Sequence, residues 1–240
     1  MLRVPVERIE IVTETSDLKG LRILHLSDLH LSARHCEGDL ERLVERINGT
    51  NPDLVAITGD LIDTTVGRVR SLIPLLGAIE APTFFVSGNH DQVYGYRALV
   101  VLLEEAGITV LDSRRQRLRL RNREIEVAGL PDRFAPFFGR RRSFGHLGPG
   151  SRREVPLIFL AHQPKDYGHA LRAGSDLFLC GHTHGGQIWP FHWLVRLSQP
   201  FLEGLHQVEG MAVFVSRGVG TWGIHRRFRA PAQLPLIVMV

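Results

Sequence analysis

The chain has 240 residues, of which 44% are hydrophobic and 22% charged, a composition that suits one globular α/β domain and excludes a disordered chain. Its formal charge of +4 favours anionic partners (phosphate esters, anionic lipid or nucleic acid) without choosing among them. Only two cysteines, Cys36 and Cys180, occur, so no disulfide framework is expected and a reducing compartment suits the chain.

In chain order, Met1–Arg8 holds no apolar stretch of the kind a signal peptide needs, and no run of 18 apolar residues follows anywhere. A cytoplasmic location is therefore expected, with a peripheral position at the inner membrane compatible. Arg22–Ser27 reads as a strand leading into Asp28-Leu29-His30. Leu40–Ile47 has helical spacing and stops before Asn51-Pro52. Leu54–Thr58 reads as a strand ending in Gly59-Asp60, and Val69–Ala78 as a helix that Pro74 bends or ends early. Thr83–Ser87 is a third strand, ending in Gly88-Asn89-His90-Asp91, and Tyr96–Ala106 a helix closed by Gly107.

The period then changes to that of strands. Ile108–Leu111, Arg117–Arg121 and Glu124–Ala128 read as short strands, the last two with apolar and charged residues alternating as in half-exposed antiparallel pairs. A segment at about 130–153 carries Pro, Gly and Arg140, Arg141, Arg142, Arg152 and Arg153, and reads as a basic surface loop or small cap. Pro156–Ala161 is a strand ending in His162, and a short helix around Lys165–Arg172 follows. Asp176–Cys180 is a strand ending in Gly181-His182-Thr183-His184-Gly185-Gly186. Met211–Ser216 and Leu234–Val240 are further strands. The order predicts a single domain over 1–240, a four-layer α/β/β/α sandwich of two mixed sheets.

Five clusters of metal-ligand residue types each follow an apolar strand, and sites in open α/β sheets lie beyond the carboxyl ends of strands. Asp and His offer oxygen and nitrogen donors suited to Mn, Fe or Zn. In Asp28-x-His30 and His182-x-His184 the paired side chains point the same way if the backbone stays extended. A carboxylate such as Asp60 can bridge two ions about 3.5–4 Å apart, which clamp phosphoryl oxygens and lower the pKa of a shared water.

The order D-x-H, G-D, G-N-H-D, H-x-P, G-H-x-H resembles the calcineurin-like metallophosphoesterases, from about His25 to His184. The resemblance implies a dinuclear site in which Asp28, His30 and His184 hold one ion, Asn89, His162 and His182 the other, and Asp60 bridges. Manganese is the expected metal, with iron or zinc as alternatives. His90 would contact the phosphate and protonate the leaving oxygen, and Asp91 would orient His90. The nucleophile implied is a metal-bound hydroxide. Gly181–Gln187, Trp189-Pro190 and Ser216–Gly220 look like a bacterial branch of small, often membrane-associated phosphodiesterases that includes a class of UDP-2,3-diacylglucosamine hydrolases of lipid A synthesis. This chain departs from that branch in lacking a membrane segment and in carrying Pro231-Ala232-Gln233 where Pro-Pro-Glu is usual.

Other residues divide more evenly. His25 reads as a core histidine and Asp63 as a turn residue. Arg140, Arg141, Arg142, Trp189 and Arg217 are the candidate substrate contacts, the arginines for phosphate and the aromatic stretch from Ile188 to Leu194 for an acyl chain or lipid surface. The function expected is hydrolysis of a phosphodiester or pyrophosphate in an amphipathic small molecule, at or near an anionic membrane surface, with no protein partner. A nuclease or cyclic-nucleotide phosphodiesterase is the second reading, although no recognisable nucleic-acid module occurs. A scaffold that keeps the fold without catalysis is the third, and the filled ligand positions weigh against it.

Overall fold

Alternation along each strand decides which layer a side chain enters. Along β2 (Arg22–Leu26), Ile23 packs between two sheets while Leu24 and Leu26 face an outer helical layer. Both faces are covered, so the strand is a nearly continuous apolar run. The computed structural model describes residues 4–145 and 155–240.

The remaining strands are β1 (Val6–Ile11), β3 (Leu54–Ile57), β4 (Thr83–Phe85), β5 (Thr109–Val110), β6 (Arg114–Leu120), β7 (Arg123–Gly129), β8 (Leu157–Leu160), β9 (Leu177–Cys180), β10 (Gly204–Val208), β11 (Met211–Val215) and β12 (Leu234–Met239). They form two six-stranded sheets, β1-β12-β2-β3-β4-β5 and β10-β11-β9-β8-β7-β6. Both are mixed: β12 runs antiparallel to β2, and the β6–β7 and β10–β11 pairs are antiparallel, while β2, β3 and β4 in one sheet and β8 and β9 in the other, which lead to the ligand clusters, run parallel to one another. The sheets face each other across a core that includes Phe84, Val127, Ile158, Leu179 and Phe214. The helices α1 (Glu37–Gly49), α2 (Val66–Val69) and α4 (Tyr96–Glu105) cover the first sheet, and α5 (Tyr167–Arg172) covers the second. The architecture is the expected α/β sandwich of two mixed sheets. Among the described residues no helix is long and apolar enough to cross a membrane.

The differences from expectation have local causes. The helix expected over Val69–Ala78 splits into α2 and a 3-10 turn at Ile73–Ala78 with Pro74 in its first turn, where the missing N–H costs no bond. Three further elements carry too few buried residues to show a period: β1, β10 and α6 (His192–Ser198), the last with no buried residue. Arginines of β6 meet the acids of β7: Arg115 and Arg117 pair with Glu126 and Arg117 also reaches Glu124, while Arg121 in the turn after β6 pairs with Asp53. The basic stripe is thus partly neutralised within the fold. The part of the expected cap that holds His146, Arg152 and Arg153 lies outside the described residues.

Candidate metal centre

Both sheets deliver their carboxyl ends to one edge of the sandwich. Asp28 and His30 follow β2, Asp60 follows β3, and Asn89 and His90 follow β4 at the start of α3 (Asn89–Tyr94). From the second sheet, His162 follows β8, and His182 and His184 follow β9. Three groups of donor atoms converge: Asp28, His30 and His184; His30, Asp60 and His90; and Asp60, His162 and His182, each within 4.8 Å. His30 Nε2 and His184 Nε2 lie 3.1 Å apart, and His184 Nε2 is 3.4 Å from Asp28 Oδ1. His162 Nε2 and His182 Nδ1 lie 3.2 Å apart. Between the two clusters, Asp60 Oδ2 is 3.2 Å from His162 Nε2 and 3.7 Å from His30 Nε2.

The backbone that does this is not extended, contrary to the expectation for the two alternating pairs. Asp28, His30, Asp60, His182 and His184 all adopt left-handed φ values, from 50° to 70°. Such residues cost of order 1 kcal/mol each and persist where their surroundings over-determine them. Asp28 and His30 still meet in one donor group, whereas His182 and His184 go to different ones. Gly59 combines a φ of +88° with contact against the backbone of Gly88, so no other residue fits there. At Gly181 a Cβ would collide with the Ser27 hydroxyl and the Asp28 carboxylate.

Asp60 and His162 each have one side-chain atom tied down and another facing the clusters. Asp60 Oδ1 accepts the backbone N–H of His90 at 2.8 Å, leaving Oδ2 to face both clusters. Asp28 Oδ2 accepts the Ser27 hydroxyl at 2.6 Å. His162 Nδ1 donates to the Thr58 carbonyl at 2.8 Å, so its Nε2 is the atom presented inward. Behind Ser27 runs a buried relay. Thr58 Oγ1 donates to Ser27 Oγ at 2.9 Å, and Thr58 Oγ1 lies 2.8 Å from His25 Nε2. Ser27 can only donate to the carboxylate, so Thr58 must donate to Ser27 and must accept from His25 Nε2–H. Proton counting alone fixes the tautomer of His25, whose Nδ1 has no partner.

Electrostatics suit cation binding. Burial pushes His30 and His182 down to about 3, and holds His184 well below its ordinary value, so these rings are neutral and offer lone pairs. Burial lifts Asp28 to about 6. Burial would also lift Asp60, but the adjacent His162 and His30 outweigh it and hold the carboxylate below its usual range. Reciprocally, Asp60 overcomes the burial of His162 and keeps that ring protonated, a proton that a cation would displace. The donor set tests well for two divalent ions. Asp28, His30, His184 and Asp60 supply one mixed nitrogen and oxygen set, and Asp60, Asn89, His162 and His182 the other. Asn89 Oδ1, buried and with no hydrogen-bond partner, is an acceptor waiting for a cation.

The assignment of Asp91 as the partner of His90 does not hold. His90 Nδ1 lies 2.7 Å from Asp63 Oδ1, so the residue read as a turn is the one that orients the ring. Asp91 instead accepts the backbone N–H groups of Leu61, Ile62 and Gly88, at 2.9, 3.1 and 2.8 Å. It ties the Asp60 loop to the Asn89 loop. Position N3 of α3 aims its carboxylate back at the helix start, which is why it cannot also reach the His90 side chain.

Above the donors opens a cavity of about 460 Å³, lined by Asp60, Asn89, His90 and His182 at its polar end and by Ile188, Phe191, Leu194, Val195, Trp222 and Ile224 along its wall. Of the candidate substrate contacts, Ile188, Phe191 and Leu194 of the aromatic stretch line it, while Arg140, Arg141, Arg142, Trp189 and Arg217 do not. Arg140 pairs with Asp112 at 3.0 Å and stacks over Tyr96, and Arg142 pairs with Asp166 at 2.6 Å. Arg141 is exposed. Arg217 lies against Glu7 and Glu203 and donates to the Pro231 carbonyl. Trp189 is exposed beside Phe228, with Arg229 over its ring. A residue not singled out in the sequence, Arg227, donates to the carbonyls of His184, Gly218 and Gly220 and so staples the 217–230 loop around a metal-ligand position. It stands in an Arg-rich stretch with no motif to mark it.

Residues 21–186 match the calcineurin-like phosphoesterase family. The chain belongs to that family. A metallophosphoesterase of Helicobacter pylori is 35% identical over 224 residues, covering 90% of this chain and 59% of that protein. A zebrafish protein named as a transmembrane protein with a metallophosphoesterase domain is 35% identical over 253 residues, covering 99% of this chain and 56% of its own length. The metallophosphoesterase YkuE of Bacillus subtilis is 32% identical over 230 residues, covering 92% and 79%. The chain thus spans less than two thirds of the first two relatives. Among solved structures, a dimetal phosphatase from Danio rerio shares the fold with a TM-score of 0.53 and 13% identity, over 84% of this chain and 88% of that one. The NAD nucleotidase of Haemophilus influenzae does so with a TM-score of 0.54 and 19% identity, over 83% and 45%.

Proposed function

We propose that the chain hydrolyses a phosphodiester or pyrophosphate bond in an amphipathic substrate, of which UDP-2,3-diacylglucosamine is an example. The observation that carries the reading is Asp60 Oδ2 standing between two His-rich donor clusters at 3.2 and 3.7 Å. Two divalent ions bound there supply Lewis acidity at the phosphoryl oxygens and lower the pKa of water in the cleft. The chain's own residues do the rest. Asp60 spans the clusters and fixes their spacing. His90 faces the cavity, held through Nδ1 by Asp63, and its other nitrogen carries a proton to the leaving oxygen. The aromatic and aliphatic wall excludes water on one side and accommodates an apolar tail.

The amphipathic substrate is favoured by that wall and by α6, whose Trp193 and Leu197 are exposed while Leu194 and Val195, with Phe191 just before the helix, line the cavity. We place the chain in the cytoplasm at the surface of an anionic membrane, where such a stripe with Arg196 beside it has a partner. Manganese is the metal we would load first. The test is hydrolysis by the manganese-loaded protein of bis-p-nitrophenyl phosphate, p-nitrophenyl phosphate and UDP-2,3-diacylglucosamine, with Asp60→Ala as control. Preference for the lipid by tenfold or more in kcat/KM is expected. Equal rates on all three refute the amphipathic substrate, and full activity in Asp60→Ala refutes the dinuclear mechanism.

A further inference from the structure

The 221–225 loop has two sides. On one, Trp222, Gly223 and Ile224 wall the cavity over the metal centre. On the other, Thr221 and His225 line a second cavity of about 320 Å³. His30 forms part of its wall, so it begins one imidazole ring away from the donor clusters. Its character is opposite to the first. Arg34, His35, His225 and Arg227 surround it with Ser32 and Thr221 hydroxyls, and no carboxylate lines it.

Two of the donors there are uncommitted. Among the described residues Arg34 and His225 have no hydrogen-bond or ion-pair partner, and both are exposed at the cavity. Ser32 donates its backbone N–H to His35 Nδ1 at 3.1 Å, which puts the His35 proton on Nε2. Arg227 spends its N–H groups on carbonyls and on His184 Nδ1, and the Asp28 carboxylate acts on its charge from the metal-centre side, so it brings positive potential to the cavity and no free donor. Asp39, which acts on His35 electrostatically, is engaged by Arg42 at 2.9 Å. Two permanent cations, two further N–H donors and hydroxyls around one concavity form an arrangement that a tetrahedral dianion satisfies.

We propose that this second cavity is an anion subsite that takes a phosphate-like group next to, and not on, the metal centre. The proposal deepens the phosphoesterase reading and rests on it for any role in turnover. The occupant is a phosphate, either the second phosphate of a doubly phosphorylated substrate or a free phosphate that acts on turnover.

The first experiment needs no catalysis. Inorganic phosphate is titrated calorimetrically into metal-free protein, where the Asp28 and Asp60 carboxylates repel anions from the catalytic cleft. One-to-one binding is expected, weakened about tenfold or more in Arg34→Gln/His225→Gln. No binding, or equal binding in the variant, overturns the subsite. The second experiment compares, on manganese-loaded protein, thymidine 5′-(p-nitrophenyl phosphate) with the same ester carrying a 3′-phosphate. A substrate-borne group shows as a kcat/KM preference for the doubly phosphorylated ester that the variant loses. A free group shows as an effect of inorganic phosphate on turnover of the simple ester that the variant loses. If neither ester is cleaved while phosphate still binds the metal-free protein, the hydrolytic reading fails and the subsite stands. If esters are cleaved and the variant matches the wild type throughout, the subsite fails and the hydrolytic reading stands.

Discussion

Replacing Thr58 with valine tests the buried relay behind Asp28. The substitution keeps the shape of the side chain and removes one hydroxyl that accepts from His25 and donates to Ser27, at 2.8 and 2.9 Å. Thr58 and His25 are fully buried and Ser27 is 1% exposed. The variant therefore orphans His25 Nε2–H and strips Ser27 of its donor. An unsatisfied buried donor costs about 1–3 kcal/mol and a lost neutral bond about 1 kcal/mol, so a loss of roughly 2–4 kcal/mol is expected. At this chain length each kcal/mol moves Tm by about 2–4 °C, which predicts a fall of roughly 5–15 °C for the metal-free protein. His25→Leu in the same background removes the orphan, so the double variant is expected to lose at least about 1 kcal/mol less than the sum of the singles. Thermal and urea unfolding of the four proteins measure the cycle. Additivity within about 0.5 kcal/mol refutes the tautomer and the relay together.

Metal loading at a concentration 100-fold above Kd is expected to stabilise the wild type by about 2.7 kcal/mol per site, and Asp60→Ala to abolish that gain, read by calorimetric melting with and without manganese. Asp63→Asn leaves metal content intact and lowers kcat by roughly 100-fold, since His90 loses its anionic partner; single-turnover kinetics and metal analysis together check both halves. Gly181→Ala pushes a methyl group into Ser27 and Asp28, and the purified variant is expected to bind less than half the wild-type metal by mass spectrometry of the native protein. Leu194→Asp introduces a carboxylate into the apolar wall and is expected to raise KM for a long-chain substrate at least tenfold more than for bis-p-nitrophenyl phosphate.

What could be read in advance followed from chemistry that has to be local. Asp28, His30, Asp60, Asn89, His90, His162, His182 and His184 stand directly after apolar strands, and a parallel sheet sends such ends to one edge. The left-handed backbone at five of them was not legible, because Asp and His tolerate that region without any residue in the chain demanding it. Asp63 took the role expected of Asp91 for a similar reason: three residues after Asp60 and one after His90, either carboxylate suits the imidazole on spacing alone, and only the start of α3 decides. Val6–Ile11 concealed a strand behind Glu7, Arg8 and Glu10, since an edge strand needs little apolar surface and its pairing with Leu234–Met239 is remote in sequence. The arginines of 114–123 and 140–142 looked free for a ligand because sequence shows charges and not their partners; Glu126 claims Arg115 and Arg117, Asp112 claims Arg140 and Asp166 claims Arg142.

The position of β12 carries a consequence for synthesis. It lies between β1 and β2, pairing with both, so the segment made first in this fold has its partner in the segment made last. While the ribosome works between them, β1 has nothing to hold and the outer edge of β2 is bare. The ligands of the second sheet are already complete by His184, yet the sheet that bears Asp28 and His30 is still open. Domain closure must therefore wait until residues 234–239 clear the exit tunnel, and a nascent chain stalled before them would carry an exposed β2 edge on which a chaperone or a neighbouring chain can dock.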